Sequence, residues 1–443
     1  MSTPKTAANG RLANGHPQNM SLDNGRFPPH VLLVTTPRTY RTQAFLDAAA
    51  KLGITVTQAL DLPPELAEEW QVPLGVDFRD VENAVEAITS YAQNKPLTAI
   101  LAVDDSGTML AAHASAKLGL PHNDVASAEA ARDKHKMRQM LAQGNVASPH
   151  FQRFSTADDP HTVTQQVNYP CVVKPTTLSG SRGVIRANTP EELVAAIQRL
   201  TAMLDTAQPS PYLVEDYLPG VEVALEGMLE NGRLTILALF DKPDPLEGPF
   251  FEETIYVTPS RLPKQAQEAI ATTTAQAAQA LGLRTGPIHA ELRVNDAGSW
   301  IVEIAGRSIG GLCSNILQFS LSTAQTDANA SLEELILRQA CGLPILSTKR
   351  ADQAGGVMMI PIPKAGLLRS IDGLAVAEAV PLIDSIEITA KLNYPLVPLP
   401  EGESYLGFIF ARGTTPAAIE AALREAHNKL TFEIAPLIQL AIT

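Results

Sequence analysis

Between Gly286 and Gly311 the chain reads GPIHAELRVNDAGSWIVEIAGRSIGG, and four of its side chains, His289, Glu291, Glu303 and Arg307, could do chemistry together. Two apolar segments, 288–294 and 300–304, flank the turn-forming run Asn295-Asp296-Ala297-Gly298, so a β-hairpin is expected. Folded symmetrically about Ala297, it sets Glu291 opposite Glu303 and Arg293 opposite Ile301. Side chains alternate along a strand, so His289, Glu291, Glu303, Ala305 and Arg307 share one face, and Leu292, Val294, Trp300, Val302 and Ile304 the other. Opposed carboxylates lie roughly 5 Å apart at Cβ and repel, which calls for a compensating cation. Oxygen-only ligands suit Mg²⁺ (or Mn²⁺), and Arg307 adds a planar donor fork for a carboxylate or phosphoryl oxygen. A solvated hairpin face with Glu and Arg in ordinary surface pairs reads the same residues equally well.

Other residues shift that balance. Lys174 ends an apolar approach, Cys171-Val172-Val173, where an unpaired ammonium is costly, so an anion must lie nearby. The adjoining run Thr176-Thr177-Leu178-Ser179-Gly180-Ser181-Arg182-Gly183 concentrates hydroxyls and glycines that can turn N–H groups toward a phosphate. It lacks the GxxxxGK[ST] pattern and a directly following helix, so it is not a P-loop, and a flexible hairpin fits it too. Asp104-Asp105-Ser106-Gly107 follows an expected strand at the carboxyl end, where open sheets bind ligands, and equally fits a helix cap. Glu215 and Glu222 stand on either side of Leu218-Pro219-Gly220. The Pro- and acid-rich segment 241–261 is long enough to be a binding or lid element. Within it Glu252 or Glu253 could hold a substrate ammonium, or simply be solvated.

The elements that must position these groups follow from periodicity. Strands at 31–35, 54–59 and 99–103 alternate with helices at about 42–52, 81–93 and 108–118, the pattern of a parallel sheet in an open α/β domain. Thr36-Pro37-Arg38-Thr39 replaces GxGxxG after the first strand, against a dinucleotide site. An amphipathic helix over 126–144 carries Arg132-Asp133-Lys134. Strands 171–174, 184–187 and 212–217 with helix 190–204 form a smaller unit, and strands 221–228 and 234–240 with helix 266–281 lead to the hairpin. Helix 332–341, strands 357–362, 383–389 and 407–411, and helix 416–430 read as a separate α+β cap.

At 443 residues the length suits about two to four domains, and 45% hydrophobic content supplies their cores. A net charge of −13 and a pI near 5.2 disfavour a nucleic-acid partner, because phosphate backbones are bound by basic patches, while a local pocket can still hold a nucleotide. Three widely spaced cysteines, Cys171, Cys313 and Cys341, form neither a CxxC nor an even set, which suits a reducing cytosol. No apolar run reaches the roughly 18 residues of a membrane span, so no membrane partner is expected. Residues 1–28, rich in Asn, Gly, Pro and Ser, are expected to form a disordered tail.

The ordered series RDK, VVKP, a Gly/Ser loop, LVEDYLPGVEVALEG and GPIHAEL…VEIAGR resembles the ATP-grasp superfamily, and within it the carboxylate–amine ligases typified by bacterial L-amino-acid (dipeptide) ligases. Coverage runs from about Val31 to the C-terminus, where YLGFIFARG, a helix and LTFE resemble that group's last domain. The resemblance implies an α/β ATP-grasp fold: an N-terminal Rossmann-like open parallel domain (29–125), an antiparallel-sheet catalytic core (126–345) with a lid subdomain at about 150–212, and a C-terminal α+β domain (346–443). It further implies that Lys134 and Lys174 bind ATP phosphates under a mobile loop, Ser179, Gly180, Ser181 and Gly183. Glu215, Asp216, Tyr217 and Leu218 would face adenine, Glu222 the ribose, and Glu291 and Glu303 would carry the metal. Arg307 would hold the substrate carboxylate or its acyl phosphate, with His289, Gly310, Gly311 and Glu252 lining the substrate pocket. Many members place Asn where this chain has Ala305, which removes one metal ligand. The run Ser308-Ile309-Gly310-Gly311 differs from the biotin-carboxylase branch. The implied function is an ADP-forming ligase joining a small-molecule carboxylate, an amino acid, to an amine in the cytoplasm, as a homodimer. Another ATP-grasp chemistry, that of a purine-pathway amine ligase or a biotin-carboxylase-like enzyme, and a non-catalytic nucleotide-binding protein are the alternatives.

Overall fold

The computed structural model describes residues 28–204, 208–321, 328–402 and 404–437. The expected N-terminal tail lies outside them except for residue 28. Four strands, β1 (His30–Thr35), β2 (Thr55–Asp61), β3 (Leu74–Val76) and β4 (Ala99–Ala102), form a parallel sheet in the order β3-β2-β1-β4. Val31, Leu32, Leu33 and Val34 are all fully buried, as a strand covered by helices on both faces must be. The carboxyl end of β4 delivers Asp104 and Asp105 through a single 3₁₀ turn, Asp105–Gly107.

The helix expected over 126–144 is instead two, Val125–Arg132 and Lys134–Gln143. Asp133 breaks it: its side chain accepts from the backbone N–H groups of His135 and Lys136 at 2.8 and 3.1 Å, an N-cap that stops one helix and starts the next. The break puts Lys134 at the first position of the new helix.

A second four-stranded sheet follows in the segment expected to act as a lid, and is called the lid sheet below: β5 (Phe151–Ser155), β6 (Cys171–Pro175), β7 (Ile185–Ala187) and β8 (Pro211–Asp216), in the order β5-β8-β6-β7. Helix Pro190–Leu204 covers one of its faces with Leu193, Ala196, Ile197 and Leu200.

The remaining strands are β9 (Val221–Glu230), β10 (Arg233–Lys242), β11 (Ile255–Thr258), β12 (Gly286–Asn295), β13 (Gly298–Ala305), β14 (Phe319–Ser320), β15 (Asn329–Ala330), β16 (Ala354–Ile360), β17 (Gly366–Asp372), β18 (Ile383–Ile388), β19 (Pro395–Leu396), β20 (Gly407–Gly413) and β21 (Thr431–Ala435). Eight of them form one sheet in the order β13-β12-β9-β10-β11-β16-β20-β18. The C-terminal segment, expected as a separate cap, shares this sheet: β16, β20 and β18 continue it, while β19-β17-β21 forms a sheet of its own. The link is β11, four buried residues inside the segment read as a loop, which pairs β10 on one side and β16 on the other. Helix Pro416–His427 lies across the joint, so close that a Cβ on Gly356 would meet Ile419 Cγ2 at 2.4 Å.

In the β12–β13 hairpin Glu291 does face Glu303, but the symmetric fold fails beyond that pair. Leu292 pairs with Ile301 and Arg293 with Trp300, around a two-residue turn, so Val302 is bulged out. Ile301, rather than Trp300 or Val302, joins Leu292 and Ile304 in the core. The bulge frees the Val302 carbonyl, which accepts from Arg138 Nη2 at 2.6 Å.

Candidate active site

Lys174, on the buried lid strand β6, places its ammonium 2.7 Å from Glu215 Oε2. Glu215 also receives Arg138 through Nε at 2.7 Å and Nη2 at 3.1 Å, and Arg138 is completely buried. Burial drives the Lys174 pKa below its ordinary value, with Glu215 pulling the other way. Burial works against the Glu215 carboxylate too, yet Arg138 and Lys174 together outweigh it and hold its pKa down. Glu215 thus turns inward to two cations and leaves Asp216, Tyr217 and Leu218, all half-buried, as the side chains at the end of that strand. Tyr217 stacks under Arg186, 4.0 Å from its ring centre.

Lys134 bridges the lid and the hairpin. Its ammonium donates to Leu178 O at 2.8 Å and reaches Glu303 Oε1 at 3.1 Å, while its backbone N–H donates to Thr176 O. The Gly/Ser loop beyond holds Gly180, Ser181 and Gly183 at positive φ, and a Cβ on Gly183 would meet Leu200 Cδ1 at 2.8 Å. Ser179 and Ser181 are half-buried and Gly180 exposed, so the loop tip faces outward.

The third cluster centres on Lys242, at the end of β10. Its buried ammonium lies 2.8 Å from Glu222, 2.8 Å from Glu253 and 2.9 Å from Glu291. Burial would lower its pKa, but the three carboxylates raise it well above the ordinary lysine value. Arg293 secures the far side of Glu222 at 3.0 Å. Glu222, assigned by resemblance to a ribose, is thus engaged with Lys242 and Arg293. Burial, reinforced by Glu291, pushes Glu253 up to about 7, whereas Lys242 outweighs the burial of Glu291 and keeps it well below the carboxylate range. His289 stands 3.6 Å from both Glu291 and the fully buried Glu226, which itself accepts from Ile309 N–H.

Carboxylate oxygens of Glu222, Glu253 and Glu291 converge within 4.8 Å of one another, and Lys242 already supplies a cation among them. Such an all-oxygen donor set fits a hard divalent ion. Glu303, on the neighbouring strand, has Lys134 as its cation. Ala305 pairs with His289 and offers no ligand.

Arg307 follows β13 and crosses to the N-terminal domain. Its Nε and Nη2 grip Asp105 at 2.8 and 2.6 Å, and Nη1 donates to Ser308 O. Burial alone would raise the Asp105 carboxyl, but Arg307 outweighs it and brings it down to about 2. Three of the five guanidinium N–H groups are thereby used, leaving two for an anion. The Gly310-Gly311 turn is held from the same domain, by Tyr40 OH accepting from Gly311 N–H at 3.3 Å. Glu252 is half-buried, its carboxyl raised by burial.

Arg138, Lys242, Arg293 and Glu226 escaped the sequence reading. Lys242 had a signal, since it ends an apolar strand just as Lys174 does. Arg138 had none, because it is one of four basic residues among the first five of its helix, KHKMRQMLAQ.

Comparison with known proteins matches three stretches of the chain to described domain families. Residues 46–122 match the ATP-grasp N-terminal domain, 167–316 the ATP-grasp domain, and 358–435 the L-amino acid ligase C-terminal domain 2. An alanine–anticapsin ligase of Bacillus amyloliquefaciens is 27% identical over 327 residues, 65% of this chain and 68% of that protein. Dapdiamide A synthase of Enterobacter agglomerans is 25% identical over 293 residues, 64% of this chain and 69% of that protein. The crystal structure of an L-amino acid ligase from Bacillus licheniformis superposes with a TM-score of 0.75 at 23% identity, covering 93% of this chain and all of that one. Three modules are thus matched in chain order, the last two sharing the eight-stranded sheet, and the chain carries an ATP-grasp N-terminal domain, an ATP-grasp domain and the C-terminal domain 2 of the L-amino acid ligases.

Proposed function

We propose that this protein is an ADP-forming carboxylate–amine ligase that activates an amino-acid carboxylate as its acyl phosphate and joins it to the amine of a second small molecule. The observation that carries the reading is the meeting of three charged clusters, Lys174 with Glu215, Lys134 with Glu303, and Lys242 with Glu291, around one hairpin that also bears Arg307. Phosphoryl transfer asks for that kind of site, because positioning and charge neutralisation carry it and no covalent nucleophile is required.

Lys134 and Lys174 exchange their present carboxylate partners for phosphate oxygens of ATP, and the Ser179–Gly183 loop shields them from water. Glu291, which faces Glu303 across the hairpin and also converges with Glu222 and Glu253, would hold Mg²⁺ together with Glu303 while Lys242 balances the other two carboxylates; the ion would supply charge neutralisation on the transferred phosphoryl group. Arg307, fixed by Asp105, presents its two remaining N–H donors to the substrate carboxylate and then to the acyl phosphate. His289 and Glu252 border the amine side. The three unpaired cysteines support a reducing cytosolic setting.

ADP and phosphate release from Mg·ATP, with AMP followed in parallel, tests the reading against pooled amino acids. ADP release that needs a carboxylate and an amine together is expected. No stimulation by any pool, or AMP as the product, would sink it.

A further inference from the structure

The lid sheet does not end at its own edge strand. β7 is that edge, and on its open side the antiparallel bridge Ile185–Phe250 and a hydrogen bond from Arg186 N–H to Pro249 O, 2.9 Å, attach a segment from elsewhere. That segment, 247–250, belongs by sequence to the connection between core strands β10 and β11. Arg186 Nη1 also donates to Glu247 O at 2.6 Å, and Gly248 lies so close that a Cβ would meet Arg186 Cβ at 2.9 Å. On the lid helix, Arg199 lies over the Phe250 ring at 4.9 Å and grips Glu401 of the C-terminal region through Nε and Nη2 at 2.6 and 2.9 Å. Gly183, which closes the Gly/Ser loop, donates its N–H to Pro400 O at 2.9 Å. Three residues beyond Phe250, Glu253 reaches Lys242 inside the acidic cluster.

We propose that segment 247–253 is a working part of the lid, so that closing the lid over nucleotide also seats Glu253 beside Lys242 and completes the amine side of the substrate pocket, with Arg186 and Arg199 as the positioning residues of this strap. The inference rests on the ligase reading. It explains why the connection between β10 and β11 is long: it must leave the core sheet, run along the lid and return. The ion pair that ties the lid helix to the C-terminal region is exposed. Arg199 and Glu401 are 44% and 38% exposed, and exposed pairs are weak enough to release when the lid opens. If both ligand pockets draw on one moving unit, occupying either favours the other, and the factor is the same in both directions.

Amide hydrogen exchange on the full-length protein, with and without a non-hydrolysable Mg·ATP analogue, tests this. Nucleotide should slow exchange at 177–186 and at 247–253 together, by tenfold or more and with the same concentration dependence. The Arg186→Ala/Arg199→Ala double variant should keep the first protection and lose the second, while exchange in β9 and β12 stays at the wild-type rate and shows that the fold is intact. Protection of the loop without the segment in wild type, or of both in the variant, overturns the strap alone. Protection of neither in wild type removes the nucleotide reading and the strap with it.

Discussion

Replacing Asp105 by asparagine tests how the N-terminal domain is coupled to the hairpin. On folding, the Asp105 carboxyl falls from 3.8 to about 2, because Arg307 outweighs the burial of the pair. At about 1.4 kcal/mol per pH unit, that drop corresponds to about 2 kcal/mol of stability at neutral pH. Its sign is set by the depressed pKa: the contribution is present above pH 3.8 and fades as pH falls toward 2. Asparagine keeps the shape and removes the charge, and the Arg307 guanidinium it leaves behind is only 16% exposed, so the full loss should appear. Urea unfolding followed by tryptophan fluorescence suits the test, since the two tryptophans, Trp70 and Trp300, report on the N-terminal domain and the hairpin. The variant should be less stable than wild type by about 2 kcal/mol at pH 7, with the gap narrowing between pH 4 and pH 2. Equal stability at pH 7, or a gap that persists undiminished at the acid end, would refute the assignment of Asp105 as the electrostatic anchor of Arg307.

Other perturbations address the remaining clusters. Arg307→Ala and Glu303→Gln should each lower ligase turnover by about 100-fold or more with circular dichroism unchanged, and retained activity in both would remove the site assignment. Arg138→Met leaves Glu215 with a single cation in a dry site and should cost about 3–5 kcal/mol, read as a fall in thermal midpoint; an unshifted midpoint would show that Lys174 alone satisfies Glu215. Lys242→Met removes the cation shared by Glu222, Glu253 and Glu291. Its thermal midpoint should drop in EDTA and recover with millimolar Mg²⁺ by more than wild type gains, and an equal Mg²⁺ response in both proteins would argue against those carboxylates as cation ligands.

Local pattern carried much of this molecule. The apolar run at 31–34, alternating with helical segments, read as a buried parallel strand, and the turn cluster 295–298 read as the close of a hairpin that sets Glu291 opposite Glu303, as the structure has them. The order of short motifs was enough to place the chain in its superfamily, because each motif sits at a turn or strand end whose chemistry depends on neighbours a few residues away. Tertiary structure decided what is long-range. The bulge at Val302 leaves its carbonyl to Arg138, 164 residues earlier, a partner that no local pattern could announce. The strand Ile255–Thr258 is too short to show a period, and it becomes a strand because β10 and β16 provide partners on both sides. Partner choice among charges was equally hidden: Glu215 with Arg138, Lys242 with three glutamates and Arg307 with Asp105 join groups 11 to 202 residues apart, and a charge in sequence carries no mark of which opposite charge will share its burial.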